Sequence, residues 1–352
     1  MLVFSFSKKK GDLLGIDISS SAVKLIELSR KGNDYRVDSY AVSSLPEGVT
    51  SERDINEAEK VGEAIRLAVK NSRTKSRRCA LGIPSSMAIN KIITIPASIP
   101  ASEMEAQVEL EAEQYIPYPM EEVNFDFEVL GPSASSTEMI DVLIAGTRTE
   151  NVEVRLAAAE MAGLEVEIVD LESHAVELLF KTMIDDMDKH DVLAAVDFGA
   201  SMTGINVFEN GKVVFSREQV FGGKQLTQEI SQRYGLSYAE AGLAKKNSNL
   251  PEGYIPEVLD PFRENMVRQV QRFLQFYYAS TQKDKVDKVL LSGGCASIPG
   301  IDEQIQEVIG IPTALANPFA NVVLHSRVNP ARFTSDIPAM LVPAGLALRG
   351  FE

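Results

Sequence analysis

The sequence predicts an α/β fold of two lobes, and three segments predict it. Two of them, far apart in the chain, share one pattern. Each is an apolar strand ending in an aspartate, then a tight turn of small and hydroxyl residues, then a second apolar strand. The first reads Leu14-Gly15-Ile16-Asp17-Ile18-Ser19-Ser20-Ser21-Ala22-Val23-Lys24-Leu25, the second Ala195-Val196-Asp197-Phe198-Gly199-Ala200-Ser201-Met202-Thr203-Gly204-Ile205. The third, Val289-Leu290-Leu291-Ser292-Gly293-Gly294-Cys295-Ala296, is a strand running into a glycine pair. Each of the first two is a β-hairpin whose turn can offer backbone N–H groups to a phosphate.

Composition narrows the class. A length of 352 residues suits about two domains, and 45% hydrophobic residues supply a sizeable core. A net charge of −15 argues against nucleic acid or an anionic bilayer as the main partner. Cys79 and Cys295 belong to no paired motif, which points to a reducing compartment, and His174, His190 and His325 share no zinc-ligand spacing with them. The apolar N-terminal stretch before Lys8-Lys9-Lys10 is too short for a signal peptide and its charges follow it, so a solvated tail is expected. No run of 18 apolar residues is present, so nothing is expected to cross a membrane.

The elements follow in order. Residues 1–87 form the first part of one lobe, with a helix near 55–70 carrying Val61, Ile65 and Val69 on one face. Residues 88–169 read as an inserted strand-helix-strand-strand-helix-strand unit, with strands at 89–95, 123–130, 139–146 and 164–169. Ser102 and Glu105 make a capping box at its first helix, Pro117 and Pro119 end that helix, and Gly131–Thr137 is a hairpin loop. Residues 170–191 return to the first lobe. The second lobe opens at 192–222, carries a smaller subdomain at 223–285, and closes with 286–352. In the smaller subdomain Asp260 caps a helix with Pro261 at its first position. Phe262, Met266, Val270, Phe273 and Tyr277 make its core-facing stripe.

The chemistry centres on Asp17 and Asp197, placed where a carboxylate orients Mg²⁺-bound water. Either alone reads equally as an aspartate capping its own turn, but the matched contexts favour the metal. Ser19, Ser20, Ser21 and Ala22 form the first phosphate turn, with Lys24 placed either to reach a phosphate or to face solvent. Gly199, Ala200, Ser201 and Thr203 form the second, where small residues let a phosphate lie against the main chain. Gly293, Gly294 and Ala296 border a base or ribose.

Two phosphate hairpins followed by strand-Gly-Gly-helix resemble the actin/Hsp70/sugar-kinase superfamily. The details resemble its FtsA-like branch and, within it, the PilM family of type IV pilus assembly. The resemblance implies an actin-like two-lobe nucleotide-binding fold whose insertion is the FtsA-type 1C subdomain, with ATP and Mg²⁺ in the cleft between lobes. It assigns Gly222 and Gly223 to a glycine pair opening the smaller subdomain, and Lys245 to an adenosine contact. Gly242 stands where the family places a glutamate, with Glu240 as a displaced substitute. Glu172 would position an attacking water, or serve only as a helix-start acid, so at most slow ATP hydrolysis is implied. The implied partner is the N-terminal cytoplasmic peptide of PilN, a single-span inner-membrane protein, docked between the first lobe and the insertion. Other pilus motor components and self-association are further implied partners. The implied place is the cytoplasm at the inner membrane. An FtsA-like division filament and a small-molecule kinase of the same superfamily are the alternatives.

Overall fold

In strand Leu14–Ile18 the two-residue period sends Leu14, Ile16 and Ile18 to one face and Gly15 and Asp17 to the other. The computed structural model describes residues 4–5, 13–32, 34–51, 54–133, 136–183, 192–246, 249–281 and 283–352. Lys8–Lys10, His190 and part of the expected hairpin loop lie outside them. The first face joins a core with Val61, Ile65 and Val69 of helix Ala58–Ser72. On the other face Gly15 lies under helix Leu341–Leu348, where Leu13, Ala80, Ile168, Ala175 and Leu346 make a smaller core.

The chain divides into two units. The first holds Met1–Val176, Val323–Val328 and Val342–Glu352. Its seven-stranded sheet has the order Phe4–Ser5, Glu165–Leu171, Arg78–Ile83, Leu14–Ile18, Ala22–Lys31, Asp34–Ser44, Val323–Leu324. Leu14–Ile18 pairs antiparallel with Ala22–Lys31 and parallel with Arg78–Ile83. The second unit holds Glu177–Val322 and Asn329–Leu341. Its five strands run Lys212–Val220, Met202–Glu209, Val192–Phe198, Lys288–Ser292, Thr313–Leu315. Numbered by their succession within each unit, the five main strands of both follow one order, 3-2-1-4-5. In the second unit Ala194, Val196 and Phe198 face a core with the predicted stripe Phe262, Met266, Val270, Phe273 and Tyr277.

The inserted element differs from the sequence expectation at its far end. Strands Ala88–Pro96, Ser136–Arg148 and Val123–Ser133 form their own antiparallel sheet. Ile93, Ile95, Val142 and Ile144 pack there on Val108 and Ala112 of helix Met104–Ala112. The expected fourth strand instead pairs parallel with Arg78–Ile83 in the main sheet. Helix Thr149–Met161 packs on helix Ala58–Ser72, close enough that a Cβ on Gly62 would lie 3.0 Å from the Ala158 carbonyl oxygen.

Three other expectations change. Residues 323–328 and 342–352 belong with the first unit, because the closing helix covers its sheet. Ser102 makes no capping bond: Glu103 stands at the N-cap, and its N–H turns back to the Pro100 carbonyl. Asp260 is no cap either, since a π-turn over Ile255–Leu259 leads into helix Asp260–Thr281 and gives Asp260 helical backbone angles.

The first unit also buries an ion pair the sequence did not reveal. Arg349 Nε donates to Asp170 Oδ2 at 2.6 Å, and Arg349 Nη1 to Glu352 at 2.6 Å. Burial pushes the Asp170 carboxyl up, and Arg349 and His174 draw it back. A pair of this kind stabilises little by itself, but removing one partner strands a buried charge at about 3–5 kcal/mol.

Candidate functional site

The first turn is built by backbone bonds from its own residues. The Ser19 N–H and hydroxyl both donate to the Ala22 carbonyl, at 3.0 and 2.8 Å. Ser19 and Ala22 therefore close the hairpin. Thr50 Oγ1 donates to the Ser20 carbonyl at 3.0 Å, and Leu45 N–H to the Ser21 carbonyl at 2.8 Å. With both carbonyls held, the Ser20 and Ser21 N–H groups find no acceptor among the described residues. Asp17 and Lys24 are cross-strand partners, and Lys24 Nζ donates to Asp17 Oδ2 at 2.7 Å. Neither of the two sequence options for Lys24 describes it fully: its first engagement is with Asp17.

The second turn repeats the plan with more support. Gly199 N–H donates to the Met202 carbonyl at 3.0 Å, and the Ala200 and Ser201 N–H groups find no acceptor among the described residues. Asp197 Oδ1 accepts from Ser292 Oγ at 2.9 Å. The Gly222-Gly223 pair lies against this turn. Gly223 N–H donates to the Gly199 carbonyl at 3.0 Å and Lys224 N–H to the Ala200 carbonyl at 2.8 Å. A Cβ on Gly222 would come within 2.6 Å of both carbonyl oxygens, so close backbone approach requires the glycine. Gly293 takes φ of +84°, and a Cβ there would meet the Phe198 carbonyl at 2.3 Å. Gly294 faces open space.

Lys245 reaches the same place from helix Tyr238–Lys246. Its ammonium donates to the Gly223 carbonyl at 3.0 Å and to Thr227 Oγ1 at 2.6 Å. Burial lowers its pKa. Among the described residues no carboxylate pairs with it, so an anion at this turn would restore the charge balance.

Two of the expected residues are committed elsewhere. Thr203 is fully buried and its hydroxyl donates to the Phe221 carbonyl at 2.9 Å; Ala296 is 1% exposed and packs in the core. Glu240 is engaged at the start of its own helix. Its carboxylate accepts from Ser237 N–H and Oγ at 2.8 and 2.6 Å, a capping box that opens helix Tyr238–Lys246. Glu172 is buried at the end of the parallel strands, its Cγ 3.2 Å from where Gly82 would carry a Cβ. The turn in each unit thus offers a pair of N–H donors beside an aspartate, and the second adds a lysine.

The sequence matches the family described as type IV pilus assembly protein PilM over residues 15–351. The chain belongs to the PilM family. This PilM-family chain superposes on a chain of a PilM–PilN type IV pilus biogenesis complex with a TM-score of 0.83 and 26% identity, covering 97% of this chain and 99% of that one. It is similar to ethanolamine utilization protein EutJ from Carboxydothermus hydrogenoformans in fold, with a TM-score of 0.57 and 15% identity over 98% and 92% of the chains. It is 26% identical over 205 residues to cell division protein FtsA of Bacillus subtilis, covering 51% of this chain and 45% of that protein. The chain therefore spans under half the length of that relative. The fold is the actin-like ATPase fold. No helix among the described residues is long and apolar enough to cross a membrane.

Proposed function

We propose that this PilM-family protein is a nucleotide-dependent docking platform of the type IV pilus machine, taking the N-terminal cytoplasmic peptide of PilN on its inserted sheet. The observation that carries the reading is the likeness, along nearly the whole of both chains, to a chain of a PilM–PilN complex. Through PilN the protein sits at the inner face of the inner membrane.

The inserted sheet supports the reading physically. Its face away from helix Met104–Ala112 carries Ile92, 53% exposed, in register with Leu143, beside Thr94 and Asp141, whose side chains hydrogen-bond at 3.0 Å. Leu143 also packs on the main core of the same unit, so this face meets the lobe at its base and opens at its edge. An apolar side chain beside a carboxylate suits an extended peptide with apolar and basic residues. Such a peptide is ordered only on binding, so affinity is on the order of micromolar.

Mg·ATP is the nucleotide that the two turns suit. In the first unit the Ser20 and Ser21 N–H groups would hold phosphate oxygens beside Asp17; in the second the Ala200 and Ser201 N–H groups would do so with Lys245 beside Asp197, and each aspartate would orient water on Mg²⁺. When bound, the metal neutralises phosphate charge. Glu172 is the carboxylate for orienting an attacking water. Because it is buried beside Gly82, turnover is slow and the nucleotide acts mainly as a stabilising ligand.

The test is fluorescence polarisation with the labelled PilN N-terminal peptide. Ile92→Asp weakens peptide binding at least tenfold and leaves the thermal midpoint nearly unchanged, since an exposed position tolerates substitution. Undiminished binding by a folded Ile92→Asp protein places the peptide elsewhere.

A further inference from the structure

Cys295 is a buried thiol with no disulfide partner, 8% exposed, directly after the Gly293-Gly294 pair. Its Sγ lies 3.4 Å from the Gly199 carbonyl oxygen, the same oxygen that accepts the Gly223 N–H. It also lies 2.9 Å from where Gly223 would carry a Cβ, so thiol and glycine are fitted to each other. Three segments remote in sequence therefore meet at one carbonyl: the second phosphate turn, the glycine pair and the segment after the third strand. Lys245 holds the far side of the glycine pair through the Gly223 carbonyl.

From this geometry we infer that Cys295 is a positioning residue of the second phosphate turn. Its S–H and the Gly223 N–H together fix the Gly199 carbonyl, which leaves the Ala200 and Ser201 N–H groups directed to a phosphate. The inference rests on the reading of this turn as a nucleotide site. The thiol acts through the backbone and does not itself touch the ligand. Burial pushes its pKa up to about 11, with Lys245 pulling the other way, so it keeps the proton it needs to donate. An S–H is a weak donor, and a neutral hydrogen bond of this type changes affinity by about fivefold to tenfold.

Calorimetric titration of Mg·ATP into wild type, Cys295→Ser and Cys295→Ala tests it. The serine hydroxyl still donates to the Gly199 carbonyl and keeps affinity within about twofold. The alanine loses the donor and weakens affinity about fivefold to tenfold, with the ligand-free thermal midpoint little changed. If the alanine protein does not fold, Cys295→Val takes its place, filling the position with a somewhat larger apolar side chain that has no donor. Wild-type affinity in Cys295→Ala, or serine no better than alanine, overturns the inference while the nucleotide reading stands. No binding of Mg·ATP to the wild type overturns both.

Discussion

Gly15→Ala prevents the first unit from reaching its native packing. Gly15 sits mid-strand in the first hairpin, where strand propensity alone favours alanine over glycine. The closing helix lies directly on it. An ideal Cβ would stand 1.8 Å from the Pro343 carbonyl oxygen and 2.6 Å from the Ala347 amide nitrogen. Both are backbone atoms, so no side-chain rotation relieves the clash and the whole helix has to move. That movement strips cover from Leu13, Ala80, Ile168 and Ala175. Overpacking of this kind lies at the severe end of single substitutions, at least about 4 kcal/mol. Chemical denaturation is the check, with Gly48→Ala as a control: its surroundings are open and it sits in a surface turn, although its φ of +81° adds some backbone strain. Equal midpoints for Gly15→Ala and wild type contradict the packing described for the closing helix.

Asp197→Asn reduces Mg·ATP affinity by about tenfold to a hundredfold, the range of a lost charge-assisted contact of roughly 1.5–3 kcal/mol. Asparagine keeps an oxygen for the Ser292 hydroxyl and so preserves the local fold. What it removes is the negative charge proposed to hold metal-bound water. The gain in affinity that Mg²⁺ brings to the wild type therefore shrinks in the variant, which calorimetry with and without EDTA measures. Asp17 is the poorer choice for this test. Its carboxylate also accepts from Lys24 Nζ at 2.7 Å, so its loss disturbs that ion pair as well as binding. An unchanged Mg²⁺ dependence in Asp197→Asn removes the metal role from that residue.

The two hairpins were legible because a two-residue period and a small-residue turn are local signals. The stripe Phe262 to Tyr277 was legible for the same reason. What escaped was non-local. Strand Glu165–Leu171 looks like any apolar strand, and only its parallel pairing with Arg78–Ile83, more than 80 residues earlier, takes it out of the insertion. Arg349 finds Asp170 across 179 positions, with nothing local to announce it. The capping boxes show a subtler failure. Ser102 and Glu105 carry the motif, but the helix begins at Met104, whereas Ser237 and Glu240 make the motif bond for bond. At the site, Ser19 and Thr203 have the right chemistry for a ligand, but the backbone takes their hydroxyls first. Cys295 was visible only as a residue after two glycines. Its place against Gly199 arises from a parallel strand pair, Val192–Phe198 with Lys288–Ser292.

Hydrogen exchange on the protein with and without the PilN N-terminal peptide tests the docking role most directly. Binding on the open face of the inserted sheet slows exchange of amides in Ala88–Pro96 and Ser136–Arg148, and leaves the second unit's strands at their peptide-free rates. Protection confined to residues 192–322, or no protection at a peptide concentration that saturates polarisation, contradicts it.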